Sequence, residues 1–208
     1  MAILLNMDPD YPVTPEHHAY WAALGRFIHR FAMMEQQFHF LLRLTSKTDD
    51  AASKAIFSGT RAKQAISWFD RINEARGHSP DADFERAKAQ FNVINQMRDD
   101  IVHSGAILYQ DGFLISNEQR TIARQVRITP VSVADLESMT ADLDTIAATV
   151  FIMQLVANDD DPSAYFTDWR EVGRSAWQYK LPPLVSSHRK TREATLAQSD
   201  PLKGKPTK

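Results

Sequence analysis

The tightest constraint on the fold is a stripe of apolar residues in the first quarter of the chain. Phe27, Ile28, Phe31, Met34, Phe38, Leu41 and Leu42 recur at steps of three and four. That spacing places them on one face of an α-helix, and the face is wide enough to make this a central core helix. Thr14-Pro15-Glu16 supplies the start, with Thr as N-cap, Pro at the first helical position and an acid in the first turn. The helix is expected to run to about Leu44. A stripe this broad must be covered by other elements, so the rest of the chain is read for what covers it.

Four further segments carry helical spacing. A short helix from Asp50 to Phe57 ends at Ser58-Gly59. Thr60 is expected to cap a third helix, Arg61 to about Arg76, with Ala65, Ile66, Phe69 and Ile72 inward and Gly77 closing it. Ser79-Pro80-Asp81 opens a fourth by the same cap-and-proline rule. Its stripe reads Phe84, Ala87, Phe91, Ile94, Arg98, Ile101, so the apolar register passes through an arginine. Asp111-Gly112 between Ile107–Gln110 and Phe113–Ser116 signals a two-residue hairpin, with Leu108 facing Ile115 and Tyr109 facing Leu114. Ile122 to Thr129 alternates basic and apolar residues as a third strand would. Thr129-Pro130, or Ser132 with Asp135 as a capping box, starts a last long helix to about Ala157. Its core face is Leu136, Met139, Leu143, Ile146, Val150 and Met153.

The fold class is therefore mainly α: a bundle of about four long helices with a small antiparallel hairpin before the last. Residues 1–13 read as an extended arm, 14–157 as the bundle with its hairpin near 106–129, and 158–180 as a short helical, aromatic appendage. From 181 to 208 the composition is Lys, Arg, Ser, Thr and Pro, the signature of a disordered tail.

Composition narrows function by exclusion. The chain has 208 residues, a formal net charge of -2 and no cysteine. Thiolate metal sites, disulfides and cysteine nucleophiles are excluded. Any nucleic-acid surface must be local rather than global; Arg120, Arg124, Arg127 and the basic tail supply candidates. The longest apolar-rich run, Ile146 to Ala157, falls short of the roughly 20 residues of a membrane span. A cytoplasmic protein with no membrane partner is expected. There is no phosphate-loop glycine pattern, nucleophile elbow or dinucleotide fingerprint. His17-His18 at the first helix start receive no role. Glu35/His39 and Asp99/His103 stand at i, i+4, a spacing that can hold a cation, but no HExxH or Glu-x-x-His pair occurs, and no metal or other cofactor is expected.

Chemistry concentrates in one stretch, Met97-Arg98-Asp99-Asp100-Ile101-Val102-His103-Ser104-Gly105, at the end of the fourth helix. Arg98 and His103 are five apart, about 140° around a helix, and do not stack. Asp99 and His103 are four apart and share a face. At a helix C-terminus the macrodipole favours imidazolium. A fixed guanidinium near a titrating histidine suits phosphodiester cleavage, the histidine moving a proton and the arginine holding the non-bridging oxygens. RNA brings its own nucleophile, the 2′-hydroxyl. Structural alternatives stay open: Arg98 paired with Glu35, which interrupts the first stripe and needs a partner if buried; His103 as a helix cap; Asp99 and Asp100 as a solvated turn.

Arg98-Asp99-x-x-x-His103 resembles the RX4–6H motif of the HEPN superfamily, whose members are helical bundles with the motif at the end of a late helix. The resemblance covers roughly residues 15 to 157 and includes Glu35 in the apolar stripe of the early helix. It implies a homodimer with two motifs in one cleft, metal-independent endoribonuclease activity, and a toxin–antitoxin or defence setting with an antitoxin or defence partner. On that resemblance Arg98, Asp99 and His103 are catalytic, and Glu35, Asp100 and Ser104 support them. The family's residue after Arg is often Asn, whereas Asp99 adds a negative charge here, and some members bind without cleaving. A non-catalytic binding or dimerisation module is the alternative. A weaker third reading is an antitoxin-neutralised toxin with nucleotidyl-dependent activity.

Overall fold

The structure is a computed structural model that describes residues 13–104, 107–109, 112–116, 128–159 and 166–182. The extended arm before Val13, the basic residues Arg120, Arg124 and Arg127, and the tail beyond Pro182 lie outside the described residues. The described chain is mainly helical: α1 (Pro15–Ser46), α2 (Asp50–Phe57), α3 (Ala62–Ala75), α4 (Ala82–Ser104), then strands β1 (Ile107–Tyr109), β2 (Gly112–Ser116) and β3 (Ile128–Val131), then α5 (Val133–Ala157) and α6 (Phe166–Gly173). It divides into two compact units: Met1–Gln96 with Ser132–Lys180, and Met97–Val131 with Leu181–Lys208.

The first unit is built on α1. Phe27, Phe31, Met34, Phe38, Leu41 and Leu42 are each at most 2% exposed, so the stripe read in the sequence is the core face. Helices α3 and α5 pack on it. Phe31 stacks on Phe91 at 5.3 Å, and Phe38 meets Phe91 edge-on at 4.7 Å. Phe84 bridges Phe38 and Phe69 at 6.5 and 4.9 Å. Such ring pairs add about 0.5–1.5 kcal/mol each beyond the area they bury. On the solvent side, Arg26 pairs with Glu137 and Arg30 with Asp144 between α1 and α5. These pairs are exposed and contribute little.

Helix ends follow local chemistry, sometimes one residue away from expectation. The N-terminus of α1 is closed by His17, whose Nδ1 accepts from the Thr14 N–H at 3.1 Å; the imidazole takes the place of the usual carboxylate in a capping box. At α3 the N-cap is Arg61, without a side-chain bond, rather than Thr60. Gly77 follows α3 at φ +72°, a region L-residues avoid, and lets the His78 and Gly77 N–H groups donate back to Asn73 and Glu74 carbonyls, both at 2.9 Å. The cap of α4 is Asp81, whose Oδ1 accepts from the Phe84 N–H at 2.9 Å, so Ser79-Pro80 precede the helix instead of opening it. At α5 the choice falls to Ser132: its Oγ accepts from the Asp135 N–H at 3.1 Å while Asp135 accepts from the Ser132 N–H at 2.8 Å.

Helix α5 is more apolar than the Ile146–Ala157 run suggested. Val133–Ala157 holds an 18-residue window apolar enough to cross a membrane by length and composition, and 56% of that window is buried inside the fold. Leu136, Met139, Leu143, Ile146 and Val150 are fully buried, as is the polar Asp142 at 1% exposure. These are the marks of a bundle's central helix.

Asp142 anchors the segment that follows α6. Its Oδ1 accepts from the Gln178 N–H at 2.8 Å, and its Oδ2 from the Tyr179 N–H at 3.0 Å and from Gln90 Nε2 at 2.7 Å. Gln90 Nε2 also donates to the Tyr179 carbonyl at 3.0 Å. Arg86 adds a cation–π contact to Trp177 at 4.4 Å and a bond to the Ser175 carbonyl at 3.0 Å. Close approach of α6 to α5 requires Gly173, where a Cβ would stand 2.7 Å from Thr149 Oγ1. The aromatic appendage is thus partly packing, as expected for Tyr179 (3% exposed), but Trp169 is 45% exposed.

Lys88 is buried at 8% exposure and donates to Asp70 at 2.7 Å and Glu85 at 2.5 Å. Burial works to lower its pKa, but the hydrogen bonds and charges of the two carboxylates prevail and hold it above the usual lysine value. A raised lysine pKa contributes stability that is fully present below the unfolded value, about 10.4, and is lost as pH rises through the folded one. Both carboxylates are half-exposed, so the contribution is modest. Lys88→Met is expected to cost about 1 kcal/mol near neutral pH. Urea unfolding from pH 7 to 11 should show that deficit constant to about pH 10 and shrinking above it; a deficit that grows with pH would contradict the assignment.

In the second unit, β2 is the central strand of an antiparallel sheet, with order β1-β2-β3. Ile107 pairs with Leu114, Leu108 with Phe113 and Tyr109 with Gly112. Leu108 is therefore opposite Phe113 rather than Ile115, and Tyr109 opposite Gly112 rather than Leu114, a register shift of two. The third strand is Ile128–Val131, not Ile122–Thr129; of that expected segment only Ile128 and Thr129 lie within the described residues. Pro130 pairs with Leu114 in register, which is tolerated because β3 pairs on one side only. Thr129 and Val131 are buried while Pro130 is exposed, the alternation of a strand with one covered face.

Candidate functional site

The last two turns of α4 position the motif. The buried seam of α4 runs Ile94, Met97, Ile101, at 0, 0 and 5% exposure. Met97, not Arg98, continues the apolar register, since steps of three then four reach Ile101 as well as four then three do. Arg98 lies beside the seam, its side chain 28% exposed. Asp100 sits on the seam side between Met97 and Ile101 and is buried at 8% exposure. The solvated-turn reading therefore fails for Asp100, and the i+3 step from Met97 was the signal that could have shown it. Asp99 is 33% exposed. His103 is exposed in the last turn, and Ser104 is the last residue of the helix. Glu35, half-buried on α1, belongs to the first unit.

One contact changes the geometry inferred from spacing. Arg98 Nη1 donates to Asp99 Oδ1 at 2.9 Å. Neighbouring residues on a helix diverge by about 100°, so this bond forms only if the guanidinium sweeps sideways around the helix toward Asp99. Asp99 and His103 are one turn apart on a common face. The side of the helix toward which this bond draws the guanidinium is also the side of His103. The motif then presents a part-exposed cation and an exposed imidazole at the carbonyl end of a helix, where the macrodipole favours positive charge.

Elsewhere in the first unit two grooves are open. One, of about 420 Å³, is floored by Met33, Leu143, Phe151 and Trp169. The other, of about 1120 Å³, brings Lys88, Asp70, Arg76, His78 and Arg170 together with Phe69 and Met153, a lining of mixed charge. Among the described residues no three His, Asp or Glu side chains cluster closely enough to hold a metal ion.

No protein-family model, curated protein or solved structure matches this chain. The functional reading therefore rests on the residues at the end of α4 and their chemistry.

Proposed function

We propose that this chain is a HEPN-like, metal-independent endoribonuclease, acting as a cytoplasmic homodimer in a toxin–antitoxin or defence setting. The observation that carries the reading is the end of α4, where a part-exposed Arg98 bonded to Asp99 stands five residues before an exposed His103 that shares a helix face with Asp99. In the proposed reaction the 2′-hydroxyl oxygen attacks the adjacent phosphorus and the bond to the 5′-oxygen breaks. The products are a 2′,3′-cyclic phosphate and a 5′-hydroxyl. His103 accepts the 2′ proton or delivers one to the leaving 5′-oxygen, the two tasks divided between the two copies that share the cleft. Arg98 holds the non-bridging oxygens as their charge grows. Asp100 and Ser104 support the helix end.

The test is incubation of the wild-type chain with mixed RNA in excess EDTA. Cleavage should persist and leave ends that require a cyclic-phosphate ligase for capture. Activity that EDTA abolishes, or no cleavage of any RNA, overturns the reading. The same contact gives one other reading a specific basis: with Asp99 engaging the guanidinium, Arg98 serves structure, and the chain is a non-catalytic binding or dimerisation module. RNA binding without cleavage would select it.

A further inference from the structure

The Arg98–Asp99 bond has a second consequence, which rests on the reading of this stretch as a phosphodiester site. A phosphate that approaches Arg98 meets a carboxylate already bonded to Nη1 at 2.9 Å. Both side chains reach solvent, at 28 and 33% exposure, so the pair is not sealed. Part-exposed ion pairs of this kind are readily displaced. The carboxylate also repels any anion that comes within contact distance of the guanidinium. It therefore opposes phosphate twice, by occupying a donor and by its charge. We propose that Asp99 restrains the site: its carboxylate competes with substrate phosphate for Arg98, and phosphate binding requires that the bond to Asp99 be given up. Asp99 is then a determinant of substrate affinity and not a group that moves a proton. Its place one turn before His103 makes it the residue against which a bound phosphate must be accommodated.

Asp99→Asn keeps the shape of the side chain and removes its charge. The variant is expected to bind inorganic phosphate about three- to tenfold more tightly than wild type, read by calorimetry at low salt, with the gain shrinking as salt is added. Asp99→Ser, which removes the charge without an amide, should move affinity in the same direction. The gain should vanish in the Arg98→Ala background, which isolates the coupling between the two residues. In RNA cleavage the tighter phosphate binding should show as a lower KM. Equal or weaker phosphate binding by both variants overturns the proposal, as does a gain that survives Arg98→Ala. The two readings fail separately. If wild type cleaves RNA and the Asp99 variants are no better, the restraint falls and the nuclease reading stands. If the variants bind phosphate more tightly and no form cleaves RNA, the restraint stands and the nuclease reading falls.

Discussion

His103→Ala is expected to lower the rate of RNA cleavage by about 10²–10⁴-fold, the usual contribution of a positioned general acid or base. His103 is exposed in the last turn of α4, so little packing is lost, and stability should change by no more than about 0.5 kcal/mol. That separation makes the result informative. Loss of cleavage with an unchanged unfolding midpoint assigns chemistry to the ring. His103→Ala retaining more than a tenth of wild-type activity would show that the imidazole is a helix-end group and no more. Arg98→Ala should also impair cleavage, but its side chain is only 28% exposed, so its effect mixes binding with packing.

Asp142→Asn carries the largest expected effect on stability, a loss of about 2–4 kcal/mol. Both carboxylate oxygens accept bonds: Oδ1 from the Gln178 N–H, Oδ2 from the Tyr179 N–H and Gln90 Nε2. An amide in either orientation turns an NH₂ group toward a donor at a position only 1% exposed, and water cannot repair the mismatch. For a chain of this size that loss lowers Tm by roughly 5–15 °C. Hydrogen exchange gives the local readout, since the Gln178 and Tyr179 amides should exchange faster than the α1 core. A cost below about 1 kcal/mol would mean that these bonds do not hold the post-α6 segment to α5.

Helices were legible because their signals are local. The stripe on α1, the Asp50–Phe57 limits of α2 and the Ser132–Asp135 capping box each depend on residues within a turn or two of each other. The hairpin was legible as a hairpin, yet its register moved by two, since strand pairing is chosen by partners across the sheet as well as by the Asp-Gly signal. Similarly, the seam of α4 passes through Met97, because a step of three and a step of four are equally good on a helix and only packing selects between them.

Periodicity and capping act along the chain, and they suffice to make it mainly helical, to place helix ends within a residue or two, and to set an arginine and a histidine five positions apart at the close of the fourth helix. The bonds by which Asp142 anchors a segment nearly forty residues away, and the burial of Lys88 between two acids, arise only when distant faces meet. The Arg98–Asp99 bond is of the same kind although the residues are neighbours. Helical geometry points the two side chains apart, and the bond requires the conformation that the long arginine side chain takes up in the folded structure.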